Sequence, residues 1–153
     1  VFDTYPLLAR ELLYQYMFLH CPDRDELIRP KLEVQVSEAS KLKALEIFTG
    51  SDAREDYKAL QKAIRHEGTT IPPMFNAYIG LTDTLRMFGS MIDPDFSGVY
   101  ESGIMLTIGD LIESKRQRYI DPYIDYLRQL VNEKRAARRA AKIAKGKEAN
   151  RRK

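Results

Sequence analysis

The stretch between residues 86 and 108 constrains the fold most, because two apolar runs of strand length flank a tight acidic turn. The two runs are Arg86–Ile92 and Ser102–Ile108. The turn between them begins with Asp93-Pro-Asp-Phe-Ser-Gly98, and aspartate, proline, serine and glycine are typical of chain reversals. This arrangement predicts two antiparallel strands joined by the acidic turn.

Apolar residues at helical spacing predict helices on both sides of these strands. The predicted helices are Thr4–His20, a helix capped by Ser37 that runs to Phe48, a helix from Asp52 to Gly68, a short helix from Pro73 to Ile79, and a long helix after Asp110 that bends near Pro122. Their buried faces are predicted to include Leu42, Leu45 and Phe48 in the second helix and Ala53, Tyr57, Leu60 and Ile64 in the third.

The alternating residues Leu32, Val34 and Val36 predict a further short strand over Pro30–Val36. The predicted fold class is therefore α+β and helix-rich, with about five helices, a two-stranded antiparallel unit and a long basic C-terminal helix.

Charge divides the chain into an acidic body and a basic end. Residues 133–153 contain ten lysines and arginines and two glutamates, which gives this end a charge of +8. Because the whole chain carries +3, residues 1–132 carry −5. We therefore predict a domain over 1–132 and a basic, partly disordered helical tail over 133–153. Such a tail attracts an anionic membrane or an acidic protein, or is merely solvated; nucleic acid is disfavoured because residues 127–153 contain no aromatic side chain.

Several functional classes are excluded or disfavoured by what the sequence contains. No apolar run approaches the ~20 residues of a membrane span, and the single cysteine, Cys21, excludes an intrachain disulfide. His20 and Cys21 are adjacent, but zinc needs three or four ligands, so we interpret both as surface residues at a helix end and predict no metal site. The predicted location is cytoplasmic, with peripheral association at the inner membrane.

The acidic turn is the first candidate site. Asp93, Asp95 and Glu101 could bind the ammonium group of an amine substrate or accept its proton. The alternative is purely structural, because aspartate side chains commonly cap the backbone of their own turn. The sequence by itself leaves both interpretations open.

The helix that begins at Pro72-Pro73 is the second candidate site. Met74 and Phe75 are typical core residues, whereas Asn76 is unusual on an apolar helix because a buried amide needs partners. Asn76 and Tyr78 are therefore candidate substrate contacts, and Tyr78 could donate a proton to a leaving group.

Several segments occur in an order that resembles one family of enzymes. They are Glu55-Asp-Tyr-Lys58, Ile71-Pro-Pro-Met-Phe-Asn-Ala-Tyr78, Phe88-Gly and Asp93-Pro-Asp-Phe96. Together they resemble the hemolysin-like, ornithine-lipid-type N-acyltransferases of the GNAT superfamily, in the form found in Bacteroidetes-type bacteria. The resemblance runs from about Val1 to Tyr126 and is strongest between Asp52 and Asp110.

The resemblance implies a reaction and its participants. It implies transfer of a fatty acyl group from acyl carrier protein, or from an acyl-CoA thioester, to the amine of an amino acid in amino-acid lipid synthesis. Asp93 and Glu101 would be catalytic, and Asn76, Tyr78 and Asp95 would contact substrate. The thioester would be a cosubstrate, with no cofactor bound by this chain. Acyl carrier protein and, through the tail, an anionic membrane surface would be partners.

One feature of such enzymes has no counterpart in this sequence. GNAT enzymes bind the thioester donor at a glycine- and arginine-rich turn, and the segment Tyr5-Pro-Leu-Leu-Ala-Arg10 contains no glycine. The resemblance therefore implies a C-terminal half that is inactive alone, with a bare strand edge that promotes self-association. The alternative function is a non-catalytic helical interaction module whose basic tail binds anionic membrane, acidic protein or nucleic acid.

Overall fold

The computed structural model describes residues 5–96 and 98–151, the stretch 144–151 by its backbone alone. The chain divides into two compact units, a first unit that ends at Leu111 and a second unit that begins at Ile112. The predicted division of the chain after residue 132 stays a prediction.

The first unit contains four helices and two strands. Its elements are α1 (Leu7–His20), α2 (Glu38–Ile47), α3 (Ala53–His66), α4 (Pro73–Ile79), β1 (Arg86–Asp93), β2 (Val99–Met105) and a short 3-10 turn (Ile108–Asp110). The strands pair antiparallel, which confirms the predicted α+β class with a two-stranded antiparallel unit. The second strand begins at Val99 rather than Ser102, because the acidic turn is tighter than its composition indicated.

The second unit consists of two consecutive helices, α5 (Glu113–Tyr119) and α6 (Asp121–Arg151). The predicted bend is therefore confirmed, and it separates the helices at Ile120, just before Pro122, whose missing N–H suits the first turn of a new helix. Because of this break, the described residues form six α-helices rather than about five. Most of the large apolar side chains of this unit are exposed: Ile112, Tyr119, Tyr123, Ile124, Tyr126, Leu127, Val131 and Ile143.

The pairing of β1 with β2 contains a shift in register around Gly89. Pairing runs from Arg86 opposite Met105 to Asp93 opposite Val99, but the register shifts between residues 87 and 90. Gly89 lies within this shift with a φ of 93°, a left-handed conformation that glycine adopts without a steric penalty.

Two segments cover the outer edge of β1. The N–H of Met87 donates to the carbonyl oxygen of Cys21, and the N–H of Val34 donates to the carbonyl oxygen of Ser90, both over 2.8 Å. Among the described residues, β2 pairs with β1 alone, so its outer edge is where the predicted self-association would occur.

The predicted strand over Pro30–Val36 is wrong. This segment forms a single bridge, from Glu33 to Met91, because the irregularity around Gly89 stops a continuous ladder from extending along β1.

Helix α1 is the centre of the first unit. It packs against α2, α3 and β1. Its buried apolar residues are Ala9, Leu12, Leu13, Tyr14, Tyr16 and Met17. Pro6 precedes its first residue, and Thr4, which the sequence indicated as part of the helix, lies outside the described residues.

The buried faces of α2 and α3 differ from those predicted. On α2, Ser40 and Ala44 are buried, and the predicted core residues Leu42 and Leu45 are 62% and 79% exposed. Small side chains let α2 approach α1 closely, which leaves the leucines on the opposite face. Ala53 on α3 is likewise exposed instead of buried.

The buried face of α3 includes a carboxylate, Asp56, which is 1% exposed. Its oxygens accept hydrogen bonds from the N–H of Thr49 and of Gly50, both over 2.8 Å, and from the Thr49 hydroxyl over 3.0 Å. Asp56 also lies 2.9 Å from Nε2 of His20, the last residue of α1. One side chain therefore joins the end of α1, the loop before α3 and α3 itself.

Hydrogen bonding keeps this carboxylate ionised inside the protein. Burial alone would raise its pKa, but the hydrogen bonds from Thr49, Gly50 and His20 outweigh that effect and hold the pKa of Asp56 below its ordinary value of 3.8. The folded state therefore gains stability from this group above about pH 4 and loses it as the pH falls through the lowered pKa.

We expect Asp56→Asn to lower the free energy of unfolding by about 2–4 kcal/mol, because the amide nitrogen would face a donor that the carboxylate now accepts from. Urea denaturation of the full chain measures this change. Asp83→Asn, at an exposed position, is the matched control and should change the stability by less than about 0.5 kcal/mol.

The same pair of proteins tests the pH dependence. The stability difference between wild type and Asp56→Asn should be constant above about pH 5 and should narrow below pH 3.8, where the wild type loses the contribution of its carboxylate. A difference that stays constant down to about pH 2 would contradict this account.

Candidate functional site

The first unit contains an apolar cavity of about 680 Å³. It is lined by Tyr5, Met17, Thr69, Thr70, Pro72, Pro73, Met74, Phe75, Tyr78, Ile79, Met87, Tyr100, Ser102 and Ile104. Helix α1, the segment before α4, α4 itself and both strands therefore contribute to its walls.

The spacing of residues along α4 and β2 explains which of their side chains line the cavity. Proline is tolerated in a first helical turn, so Pro73 starts α4, and Phe75, Tyr78 and Ile79 follow at spacings of three and four. Along β2, alternate residues share a face. Strand β2 therefore presents every second residue to the cavity, beginning with Tyr100.

The chemistry of the lining is apolar and uncharged. Among the described lining residues there is no acidic or basic side chain. Some of the polar groups already have partners within the protein: the Tyr5 hydroxyl donates to the carbonyl oxygen of Thr70 over 2.7 Å, and the hydroxyl oxygens of Ser102 and Ser90 are 2.5 Å apart. Such a cavity suits an apolar group of a ligand.

Buried polar residues of α1 support one wall of the cavity. The Tyr100 ring stacks on Tyr14 with 6.0 Å between ring centroids, and the Arg10 guanidinium carbon lies 4.0 Å from the Tyr100 centroid. Burial raises the pKa of Tyr14 to about 12, so its phenol is neutral at physiological pH. These contacts fix the position of the Tyr100 ring.

The structure separates the two predicted substrate contacts on α4. Tyr78 is half-buried and lines the cavity. Asn76 is exposed and lies outside the lining, and its amide oxygen accepts a hydrogen bond from the hydroxyl of Tyr57 on α3. The amide that the sequence left without an explanation therefore connects two helices, and its role in substrate binding stays a prediction.

The acidic turn lies apart from the cavity lining. Oδ1 of Asp93 accepts from the N–H of Asp95 over 2.9 Å and from the N–H of Phe96 over 3.1 Å, which is the capping geometry of the structural alternative. Asp95 and Glu101 are exposed. Glu101 follows Tyr100 on β2, so the alternation of the strand puts it on the face opposite the cavity.

The predicted residues are thus only partly brought together. Of the five candidates, only Tyr78 lines the cavity, while Asp93, Asp95 and Glu101 cluster at the turn and along the start of β2. Their catalytic or binding roles remain predictions.

Sequence reasoning missed the buried polar residues of α1 and α3. The interpretation of His20 as a surface residue is wrong, because its side chain is 9% exposed and is bonded to Asp56. A signal was present, since Asp56 precedes Leu60 and Ile64 at intervals of four on the buried face of α3.

The interpretation of Cys21 as a surface residue is also wrong. Its side chain is buried, and burial raises the pKa of the thiol to about 11. The thiolate is the nucleophilic form of cysteine, so an enclosed and neutral thiol is poorly suited to carry an acyl group. This environment argues against a covalent acyl-cysteine intermediate at this residue.

The part of the chain that the structure describes contains neither a metal-binding cluster nor a membrane-spanning helix. No three His, Cys, Asp or Glu side chains there are grouped as a metal ion requires. None of the helices in that part combines the length and apolar character needed to cross a membrane.

Comparisons with known proteins connect the chain to acyl transfer. It is 35% identical over 125 residues to a glycine N(alpha)-acyltransferase of Bacteroides thetaiotaomicron, a match that covers 82% of this chain and 37% of the relative. It is 33% identical over 124 residues to a protein of the same name from Phocaeicola vulgatus, which covers 81% of this chain and 38% of the relative. Both relatives are named as acyltransferases, and each match covers about four fifths of this chain.

Each match covers only one part of the relative. The chain spans a little over a third of the length of the curated relatives it matches. No protein-family model matches the chain, and no solved structure matches it.

We expect Cys21 to resist alkylation in the folded protein. At about pH 8, iodoacetamide should react on the order of a hundredfold more slowly than in denaturant, because the raised pKa leaves little thiolate. Mass spectrometry follows the reaction without ambiguity, because this is the single cysteine of the chain. Equal rates with and without denaturant would contradict the burial of the thiol, and Cys21→Ala gives the background signal.

Proposed function

We propose that the chain is one part of an N-acyltransferase that moves a fatty acyl group from a thioester to the amine of an amino acid. The observation that carries this proposal is the similarity to two proteins named glycine N(alpha)-acyltransferase over four fifths of the chain. The apolar cavity supports it, since an acyl group needs an apolar site. The hemolysin-like type within the GNAT superfamily is a finer proposal, supported by the order of the resembling segments.

The proposed reaction is a direct transfer. The amine nitrogen attacks the carbonyl carbon of the thioester, a nitrogen–carbon bond forms, and the carbon–sulfur bond breaks to release the thiolate. A bound water takes the amine proton and passes it to a carboxylate, which we assign to Asp93 or Glu101; the water is needed because both residues lie outside the cavity lining. Asp95 and Asn76 would contact the amino acid. Tyr78, which lines the cavity, would donate a proton to the leaving thiolate.

The acidic turn can be tested in the complete acyltransferase. Asp93→Asn keeps an oxygen that accepts from the backbone of the turn, so the stability should change by less than about 0.5 kcal/mol. If the carboxylate takes the amine proton, turnover should nevertheless fall by roughly 10²–10⁴-fold in a steady-state assay with an acyl thioester and glycine.

One control variant, Asp93→Ala, separates the structural role of the carboxylate from its catalytic role. Asp93→Ala should lower the stability by about 1 kcal/mol, because it removes the acceptor from the turn. Unaltered turnover in Asp93→Asn would assign the residue to the structure of the turn alone.

The second unit is proposed to bring the enzyme to its partners. Helix α6 exposes five basic residues that follow its exposed apolar residues between Tyr123 and Val131: Lys134, Arg135, Arg138, Arg139 and Lys142. Basic residues next to exposed apolar ones favour an anionic membrane surface, where lipid-linked products would be released, or an acidic donor such as acyl carrier protein. The same surface favours the second candidate function, an interaction module without catalysis.

The membrane proposal predicts a loss of vesicle binding when these charges are removed. Substituting the five basic residues of α6 with glutamine should weaken binding to phosphatidylglycerol vesicles by at least about a hundredfold, since each basic residue contributes roughly 1 kcal/mol near an anionic surface. Sedimentation with vesicles measures the change.

A matched variant controls for total charge. Five exposed basic residues of the first unit, Arg24, Lys31, Arg54, Lys62 and Arg65, are replaced by glutamine in the same way. Equal weakening in both variants, or binding that survives removal of residues 133–153, would contradict a membrane role for the tail.

A further inference from the structure

We propose that the apolar cavity of the first unit binds the alkyl chain of the acyl group. This inference rests on the proposed function and specifies which substrate, and which portion of it, the cavity holds.

The absence of charged side chains in the described lining indicates which portion of the substrates the cavity can bind. An amino acid carries an ammonium and a carboxylate group, and the carrier of the donor thioester carries phosphate. The described lining residues offer no acidic or basic side chain to any of these groups. Burial of an unpaired charge is costly, so the uncharged alkyl chain is the portion that the cavity can accept.

The hydroxyl groups of the lining lead to the same conclusion. The Tyr5 hydroxyl is bonded to the carbonyl oxygen of Thr70, and the Ser102 hydroxyl is bonded to Ser90. An alkyl chain therefore enters without breaking either of these hydrogen bonds.

The apolar side chains of the cavity suit a flexible ligand. Met17 on α1, Met74 on α4 and Met87 on β1 all line it. Methionine side chains are unbranched and adapt their shape to different partners. Met74 is 67% exposed, so one wall of the cavity is in contact with solvent and provides a route of entry.

The test measures binding of saturated fatty acids to the full 153-residue chain, without any acyl transfer. Equilibrium dialysis with the even-numbered series from octanoic to hexadecanoic acid gives the dissociation constants. Each added methylene should tighten binding by about fourfold until the cavity is full. Longer chains should then give no further gain.

A matched pair of substitutions locates the binding site. Thr70 is exposed and lines the cavity, so Thr70→Trp should narrow the cavity and weaken binding of hexadecanoic acid by at least about tenfold. Thr107 is exposed and lies outside the lining, so Thr107→Trp should leave binding unchanged. Thermal melts confirm that both variants are folded.

The outcomes distinguish this inference from the proposed function. Three results would overturn the inference: no binding, binding that is independent of chain length, or binding that falls equally in both variants. The last result would mean that the fatty acid binds elsewhere, for example on the exposed apolar residues of α6. Binding that follows the prediction, in a complete enzyme that transfers no acyl group to an amino acid, would overturn the proposed function and leave the alkyl site standing.

Discussion

The arrangement of the first unit depends on the hydrogen bonds that the buried carboxylate of Asp56 accepts. Its carboxylate satisfies two backbone N–H groups of the loop before α3 and holds His20 at the end of α1. A second buried carboxylate acts in the same way at α2, where Glu11 accepts from the hydroxyl of Ser37 over 2.6 Å and from its N–H over 3.2 Å. Both neighbouring helices are thus attached to α1 through an acidic side chain, and apolar contacts complete the packing.

The candidate site depends on the position of α1 in turn. The same helix contributes Met17 to the cavity and supports the ring of Tyr100 through Arg10 and Tyr14. Loss of the Asp56 contacts at the end of the helix would therefore also affect the cavity, through the packing of α1 against the sheet. Stability and the shape of the site are linked in this small unit, because one helix serves both.

Elements with strong local signals were predictable, and those decided by tertiary contacts were not. The capping of α2 by Ser37, the start of α4 at Pro73 and the antiparallel strands follow from residue types and spacing. The exposure of Leu42 could not be predicted, because it depends on which face of α2 meets α1. The cavity escaped prediction for the same reason, since residues distant in sequence form its walls; of the candidate site residues, Tyr78 is the one that lines it.

Strand β2 separates two kinds of residue by the simple alternation of its side chains. Tyr100 and Ser102 face the cavity, and Glu101 between them lies on the other face. Substitutions on one face can alter the fit of a ligand and leave the acidic face unchanged. A single strand therefore carries two independent rows of side chains, and residues that shape the cavity can change from one sequence to another while the acidic row stays as it is.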